Sequence, residues 1–483
     1  MDIWRLSLSE LGGKVLAGEI SAEAAARSFL TRAHERQAET NAFITLDDEG
    51  ALARAKALDS IGGEARSSMR LFGVPIAIKD NICVAGKATT CGSRILQHFV
   101  SPYNATVAEK LISAGAVILG KTNLDEFAMG SSTETSFFGI TRNPHDLDRS
   151  PGGSSGGSTA AVAAGCAPCA LGTDTGGSIR QPACFCGVVG LKPTYGRVSR
   201  YGLVAFAPSF DQIGPITRNV QDAALLLEVI AGYDPRDSTS VNLSVPEFSK
   251  LLDGDLSGLK VGVIKEHVEG GLTPLVARAV QDAMLSLERL GVEIVPVSLP
   301  HLNYAVAVYY ILSTAETSSN LLRYDGVRYG HRASSYSDLV DMYRKTREDG
   351  FGQEVKRRII LGTFVLSTGY YEAYYLKAQK VRTLIIQDLR TAFEKVDVLM
   401  GPTSPQEAFK IGEKLDDPLT MYLSDVFTIP ANLAGLPAIS IPYNSEENAL
   451  PVGVQLIARA FDEAGMLRVA GALEGENSQT GKE

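Results

Sequence analysis

The spacing of apolar positions changes repeatedly along this chain, and each change predicts an element. Ser21 can cap a helix running from Ala22 to Arg36, with Glu23 in its first turn, and residues 1–60 as a whole read as helical. Leu71 to Ile78 alternates β-branched and small apolar residues and predicts a short strand ending at Lys79-Asp80. Asn104 can cap a helix reaching Gly115, after which Ala116 to Leu119 reads as a buried strand, and Asn219 to Gly232 predicts another capped helix. The clearest unit follows: a strand over Lys260–Ile264, a helix capped by Thr273 with Pro274 at its first position and stopped by Gly291, then a strand over Val292–Val297. That β-α-β unit predicts an α/β chain whose sheet is at least partly parallel. Residues 304–395 read as mostly helical, 396–457 return to short strands with Gly-Pro turns, and the polar tail from Glu474 reads as frayed.

Composition adds bounds. The chain has 483 residues, 45% hydrophobic and 21% charged, which fits a large globular α/β enzyme. No internal repeat or interdomain linker divides it. A net charge of −9 argues against a protein that grips nucleic acid alone, though it leaves room for a partner that does. The N-terminus lacks the apolar stretch of a secretory signal and no apolar run reaches the ~18 residues of a membrane span, so the expected compartment is cytoplasmic, with no membrane partner. Six cysteines are then expected reduced. Cys166-x-x-Cys169 and Cys184-x-Cys186 superficially resemble a metal pattern, but the first pair sits among small apolar residues and the second is too tightly spaced, so no metal site is expected.

Two further motif matches fail on context. Gly115-Ala-Val-Ile-Leu-Gly-Lys121-Thr122 fits a phosphate-binding loop, but its variable positions form a buried strand whose N–H groups belong to a sheet. Gly152-Gly-Ser154-Ser-Gly156 fits a hydrolase nucleophile elbow, but no strand precedes it and no histidine stands near the C-terminus.

Two Ser-Gly loops remain, Gly152–Ser158 and Asp174–Arg180. The glycine pair before Ser178 lets successive amides point one way, so the N–H groups of Thr175, Gly176, Gly177 and Ser178 could hold an oxyanion. A serine needs a base, and only six histidines are scattered through the chain. A lysine can serve if burial lowers its pKa by roughly three units from ~10.4. Lys79 follows an apolar strand that could bury it, although spacing alone favours an ordinary strand-end lysine.

The run GGSSGGS, the downstream DTGGSIRQP and the upstream PIAIKDN together resemble the amidase signature family, and the resemblance covers nearly the whole chain. It implies a mixed central β-sheet covered by helices on both faces, in one domain over 1–483: a helical N-terminal segment (1–60), a catalytic Ser/Gly-rich core (71–220), a helical insertion (304–395) and a C-terminal part of the core (396–473). It also implies a Ser-cisSer-Lys triad with Ser178 as nucleophile, Ser154 as bridging serine and Lys79 as base. Within the family, KTNLDEFAMGSSTETS, RVSRYGLVAFAPSFDQIGP, NLLRYDGVRYGHR, GFGQEVKRRIILGTF and DPLTMYLSDVFTIPANLAGLPAIS are similar to the A subunits of tRNA-dependent amidotransferases. That similarity implies a glutaminase that binds glutamine through Arg358, Asp425 and Tyr309 and passes ammonia to a B subunit, with a small C subunit completing a heterotrimer. The B subunit would use ATP and Mg and carry most of the contact to misacylated tRNA, so no cofactor is expected in this chain. A zwitterionic substrate fits a cation at Arg358 and an anion at Asp425. The alternative is a stand-alone amidase acting on a small aryl or aliphatic amide.

Overall fold

The computed structural model describes residues 2–443 and 449–480. Eleven strands form one sheet: β1 (Phe43–Leu46), β2 (Pro75–Lys79), β3 (Val117–Thr122), β4 (Cys169–Asp174), β5 (Val189–Lys192), β6 (Gln212–Thr217), β7 (Lys260–Ile264), β8 (Glu293–Val297), β9 (Val398–Pro402), β10 (Ala438–Pro442) and β11 (Gly453–Ala458). Their order is β1-β3-β2-β4-β6-β5-β10-β11-β9-β7-β8. The β3-β2-β4 and β9-β7-β8 groups are parallel and the rest antiparallel, so the sheet is mixed.

Alternate residues of a strand face opposite sides of its sheet, and the cores divide accordingly. Ile76 and Ile78 of β2, Leu171 of β4, Ile439 of β10 and Leu456 of β11 enter one core, packed with the helices Val220–Ile230, Pro274–Arg289 and Glu463–Thr480. Ala77 and Ala170 face the other side, where the N-terminal helix Ala22–Thr40 and the helix Gly156–Ala163 cover the sheet. On that side, toward β9 and β11, Leu399 and Ile457 join a separate core with the helices Ala305–Asn320 and Lys377–Phe393. Helices therefore clothe both faces.

Several local expectations hold. Ser21 and Asn219 cap their helices, accepting the amides of Ala24 and Asp222. The strands β7 and β8 pair in parallel across the helix that starts at Pro274. Others need correction. Residues 1–60 are not wholly helical: Phe43–Leu46 forms the edge strand β1, paired antiparallel to β3. Asn104 does not cap the next helix, which begins at Thr106; its side-chain carbonyl instead accepts the Ala85 amide at 2.8 Å. Thr273 occupies the cap position without a capping bond, and its hydroxyl donates to Glu407. The tail is helical to Thr480, and Glu474 accepts the Val220 amide; residues 481–483 lie outside the described residues. The phosphate-loop look-alike is strand β3, and Lys121 is buried, donating to Asp80 at 2.8 Å. All six cysteines are free and buried, and no His, Cys, Asp and Glu cluster suited to a metal occurs among the described residues. No described helix is long and apolar enough to cross a membrane.

Candidate active site

β2 and β4 run side by side in parallel, so the residues at their C-terminal ends come together. Lys79 ends β2 and is fully buried. Its Nζ lies 2.7 Å from Ser154 Oγ, 2.9 Å from Ser155 Oγ and 2.8 Å from Thr173 Oγ1 of β4. Burial pushes its pKa from 10.5 to about 7, against the opposing pull of Asp125, Asp174 and Asp211. Proton counting then sets one neighbour aside. The Ser155 hydroxyl spends its proton on the Thr173 carbonyl at 3.1 Å, so it can only accept from Lys79. Thr173 Oγ1 accepts from Asn81 Nδ2 at 3.1 Å and keeps its own proton. Ser154 has no other side-chain partner among the described residues, which leaves its hydroxyl free to turn its proton onto a neutral Lys79.

The loop carrying Ser154 is held from several directions. The Gly153–Ser154 peptide is cis. The Gly153 amide donates to Gln181 Oε1 at 3.0 Å, the Gly156 amide to Thr133 Oγ1 at 3.1 Å, and the Ser155 amide to the Ser178 carbonyl at 3.1 Å. That last bond ties the Ser154 loop to the Ser178 loop. Ser178 itself is 7% exposed, the most accessible of the three residues expected to form the triad, and its hydroxyl makes no hydrogen bond among the described residues. The structure therefore joins Lys79 to Ser154 directly, and brings Ser178 alongside through the backbone.

Behind Ser178 lies a buried polar frame. Asp174 accepts the amides of Gly177 at 2.9 Å and Ile179 at 3.2 Å, together with the Arg180 guanidinium. Burial works to raise the Asp174 carboxyl, and Arg180 outweighs it and holds it low. Arg180 is bound in turn by Asn432 and Gln455, each at 2.5 Å. Of the four amides expected to face an oxyanion, that of Gly177 is thus turned onto Asp174, while those of Gly176 and Ser178 have no protein acceptor among the described residues. The Thr175 hydroxyl donates to Asp211 at 2.7 Å, which fixes the start of the loop.

Tyr309 and Asp425 stand against the same loop. A Cβ on Gly176 would lie 2.6 Å from Tyr309 Cζ, and one on Gly177 would lie 2.1 Å from Thr428 Oγ1 and 3.2 Å from Asp425 Oδ1. Both glycines are required by this close approach. Asp425 is buried; its Oδ2 accepts from Ser131 Oγ at 2.5 Å, while Oδ1 has no partner among the described residues. Burial raises its pKa to about 7. Arg358 is buried on the helix Gln353–Val365, with its Nε on Glu354 at 2.8 Å. Its guanidinium lies 5.2 Å from the centre of the Tyr310 ring and 5.5 Å from those of Phe206 and Tyr422. Burial opposes its charge and Glu354 more than restores it, so it stays cationic. Arg358 lines a cavity of about 130 Å³ together with Ser131, Thr135, Glu354, Lys414 and Tyr422, and the hydroxyl of Ser131 at its wall donates to Asp425.

Ser155, Thr173, Asn81, Ser131 and Gln181 escape sequence reasoning. Their one signal is position: each lies inside, or within two residues of, a segment that carries the family resemblance.

Known proteins resemble this chain along almost its whole length. The family model described as amidase matches residues 24–467. A protein from Geobacillus sp. (strain WCH70), named as the A subunit of glutamyl-tRNA(Gln) amidotransferase, is 58% identical over 475 residues, covering 98% of both chains. One of the same name from Persephonella marina is 56% identical over 470 residues, 97% of each. The crystal structure of a protein of that name from Thermotoga maritima superposes with a TM-score of 0.81 at 46% identity, covering 98% of this chain and 95% of that one. Sequence, sheet and buried Lys-Ser pair converge, and the chain belongs to the amidase signature family.

Proposed function

We propose that this chain is the glutaminase subunit of a tRNA-dependent amidotransferase. The observation that carries the reading is a buried carboxylate with an unpaired oxygen, Asp425, against the Ser178 loop, tied through Ser131 to the wall of a small cavity that a buried cation, Arg358, also lines. A free amino acid needs both; an aryl or aliphatic amide needs neither. Full-length relatives named as A subunits of such an enzyme support it.

Arg358 holds the α-carboxylate of glutamine, Asp425 its α-ammonium, and Tyr309 packs against the bound chain. Ser178 Oγ attacks the side-chain carboxamide carbon while its proton passes to Ser154, whose own proton passes to neutral Lys79. Amides of the Thr175–Ser178 loop, chiefly Gly176 and Ser178, stabilise the oxyanion. Collapse breaks the C–N bond, the proton returns from Lys79 through Ser154 to the departing nitrogen, and ammonia leaves. Water then attacks the glutamyl ester by the same relay and releases glutamate. The ammonia goes to a B subunit that activates misacylated Glu-tRNA(Gln), or Asp-tRNA(Asn), with ATP and Mg, a C subunit bracing the pair.

Ammonia release from glutamine by the full chain, purified alone and with B and C subunits, tests the reading with and without ATP and misacylated tRNA. Glutamine turnover stimulated by the partners supports it. Turnover of hydrophobic amides by the isolated chain, with none of glutamine in any assembly, would replace it with a stand-alone amidase.

A further inference from the structure

We infer that Gln181 is a positioning residue that fixes the proton relay and the substrate anchor relative to each other, an inference that rests on the Lys79–Ser154–Ser178 reading above. Gln181 is wholly buried in the first turn after the nucleophile. Its backbone amide donates to the Gly177 carbonyl at 2.9 Å, which anchors it to the nucleophile loop. Its side chain then divides between two other loops. Oε1 accepts the Gly153 amide at 3.0 Å, one peptide before Ser154. Nε2 donates to the Ser131 carbonyl at 3.0 Å, and the Ser131 hydroxyl holds Asp425. One amide group thus touches the loop that moves the proton and the loop that orients the ammonium anchor.

The chemistry of the two contacts is demanding. Gly153 presents a donor and Ser131 an acceptor, so the group between them must offer one acceptor and one donor in fixed order, which a carboxamide does and a carboxylate does not. The space is equally tight: a Cβ on Gly152 would lie 2.4 Å from Gln181 Oε1. The charged groups nearest these contacts are the Asp174–Arg180 pair beside it, Asp125 against Gly153, Asp425 beyond Ser131 and Lys79 beyond Ser154.

Two variants of the full chain, assayed with its partner subunits for ammonia release from glutamine, separate positioning from bulk packing. Gln181→Met keeps length and removes both hydrogen bonds; kcat is expected to fall about 10- to 100-fold with a much smaller change in KM, the scale of loss for a misplaced reacting group. Gln181→Glu supplies the same donor and acceptor while protonated and sets an oxygen against the Ser131 carbonyl once ionised. Its kcat relative to the parent enzyme is therefore expected to approach one at low pH and to fall as pH rises. A Gln181→Met enzyme with kcat within twofold of the parent, or a Gln181→Glu ratio flat across pH, overturns the inference. Ser178→Ala in parallel keeps the two readings apart: if it retains glutaminase activity, the relay itself is wrong; if it is inactive while both Gln181 variants behave as the parent, only the positioning role is lost.

Discussion

Replacing Lys79 by methionine perturbs catalysis and stability in opposite directions, and both magnitudes follow from its burial. Bringing the amine from 10.5 to about 7 corresponds to about 5 kcal/mol of lost preference for the charged form. Near pH 7.4 such a lysine is mostly neutral, where an ordinary one is about 0.1% neutral, so burial raises the active fraction roughly a thousandfold. The sign for stability is the reverse. Below about pH 7 both folded and unfolded chains carry the proton, and the folded state bears the full cost of a buried ammonium. Between about 7 and 10.5 the unfolded chain binds more protons than the folded one, so this contribution to stability rises with pH. Lys79→Met removes the titration and leaves a pH-independent cost at the Ser154, Ser155 and Thr173 hydroxyls. Chemical unfolding of parent and variant from pH 6 to pH 10 is therefore expected to show the variant at its best relative to the parent at pH 6, with a gap that narrows or reverses by about 4 kcal/mol by pH 10. In parallel, parental kcat is expected to rise with pH through about 7 and then level. kcat/KM should rise more steeply, because free Asp425 also loses its proton near about 7. A stability difference flat in pH, or a kcat already level at pH 5.5, would refute a neutral buried Lys79.

Ser154→Ala is expected to lower kcat by about 10²- to 10⁴-fold with little change in glutamine KM, as suits a proton-transfer group, read from steady-state ammonia release. Arg358→Gln should raise the KM for glutamine about 10- to 100-fold, the worth of a charge-assisted hydrogen bond, while leaving an amide without an α-carboxylate unaffected; equal effects on both substrates would contradict its role. Arg180→Met strands Asp174 among buried partners and should destabilise the fold by about 3–5 kcal/mol, measured by denaturant unfolding.

Legibility from sequence was uneven for physical reasons. Caps announce themselves where the side chain has no better partner: Ser21 and Asn219 were readable, whereas Asn104 and Thr273 satisfy Ala85 and Glu407 instead. β1 is four residues long and lies at the sheet edge, so its pattern is too short to stand out between two helices. The tail looked polar, yet its Glu474 accepts a helix N-terminal amide more than 250 residues away, a contact no local window contains. In the site, the Gly-Gly-Ser loop was legible because its glycines meet Tyr309 and Thr428 in close approach. Lys79 as the proposed base was not, because a lysine becomes a base through desolvation, and spacing carries no record of that. The Gly177 amide was misassigned for a similar reason: its competitor, Asp174, is three residues away and well in view, but the direction of the bond is set by the Arg180 frame behind it.

The Lys121–Asp80 pair has a consequence for reading natural variants of this chain. Both groups are buried, so an allele altered at Lys121 would leave the Asp80 carboxylate without its ion-pair partner in a dry interior. Such an allele would lose activity by losing the fold. Because the residue sits in a stretch that mimics a nucleotide-binding signature, it would look like a lesion in ATP binding while being a lesion in stability.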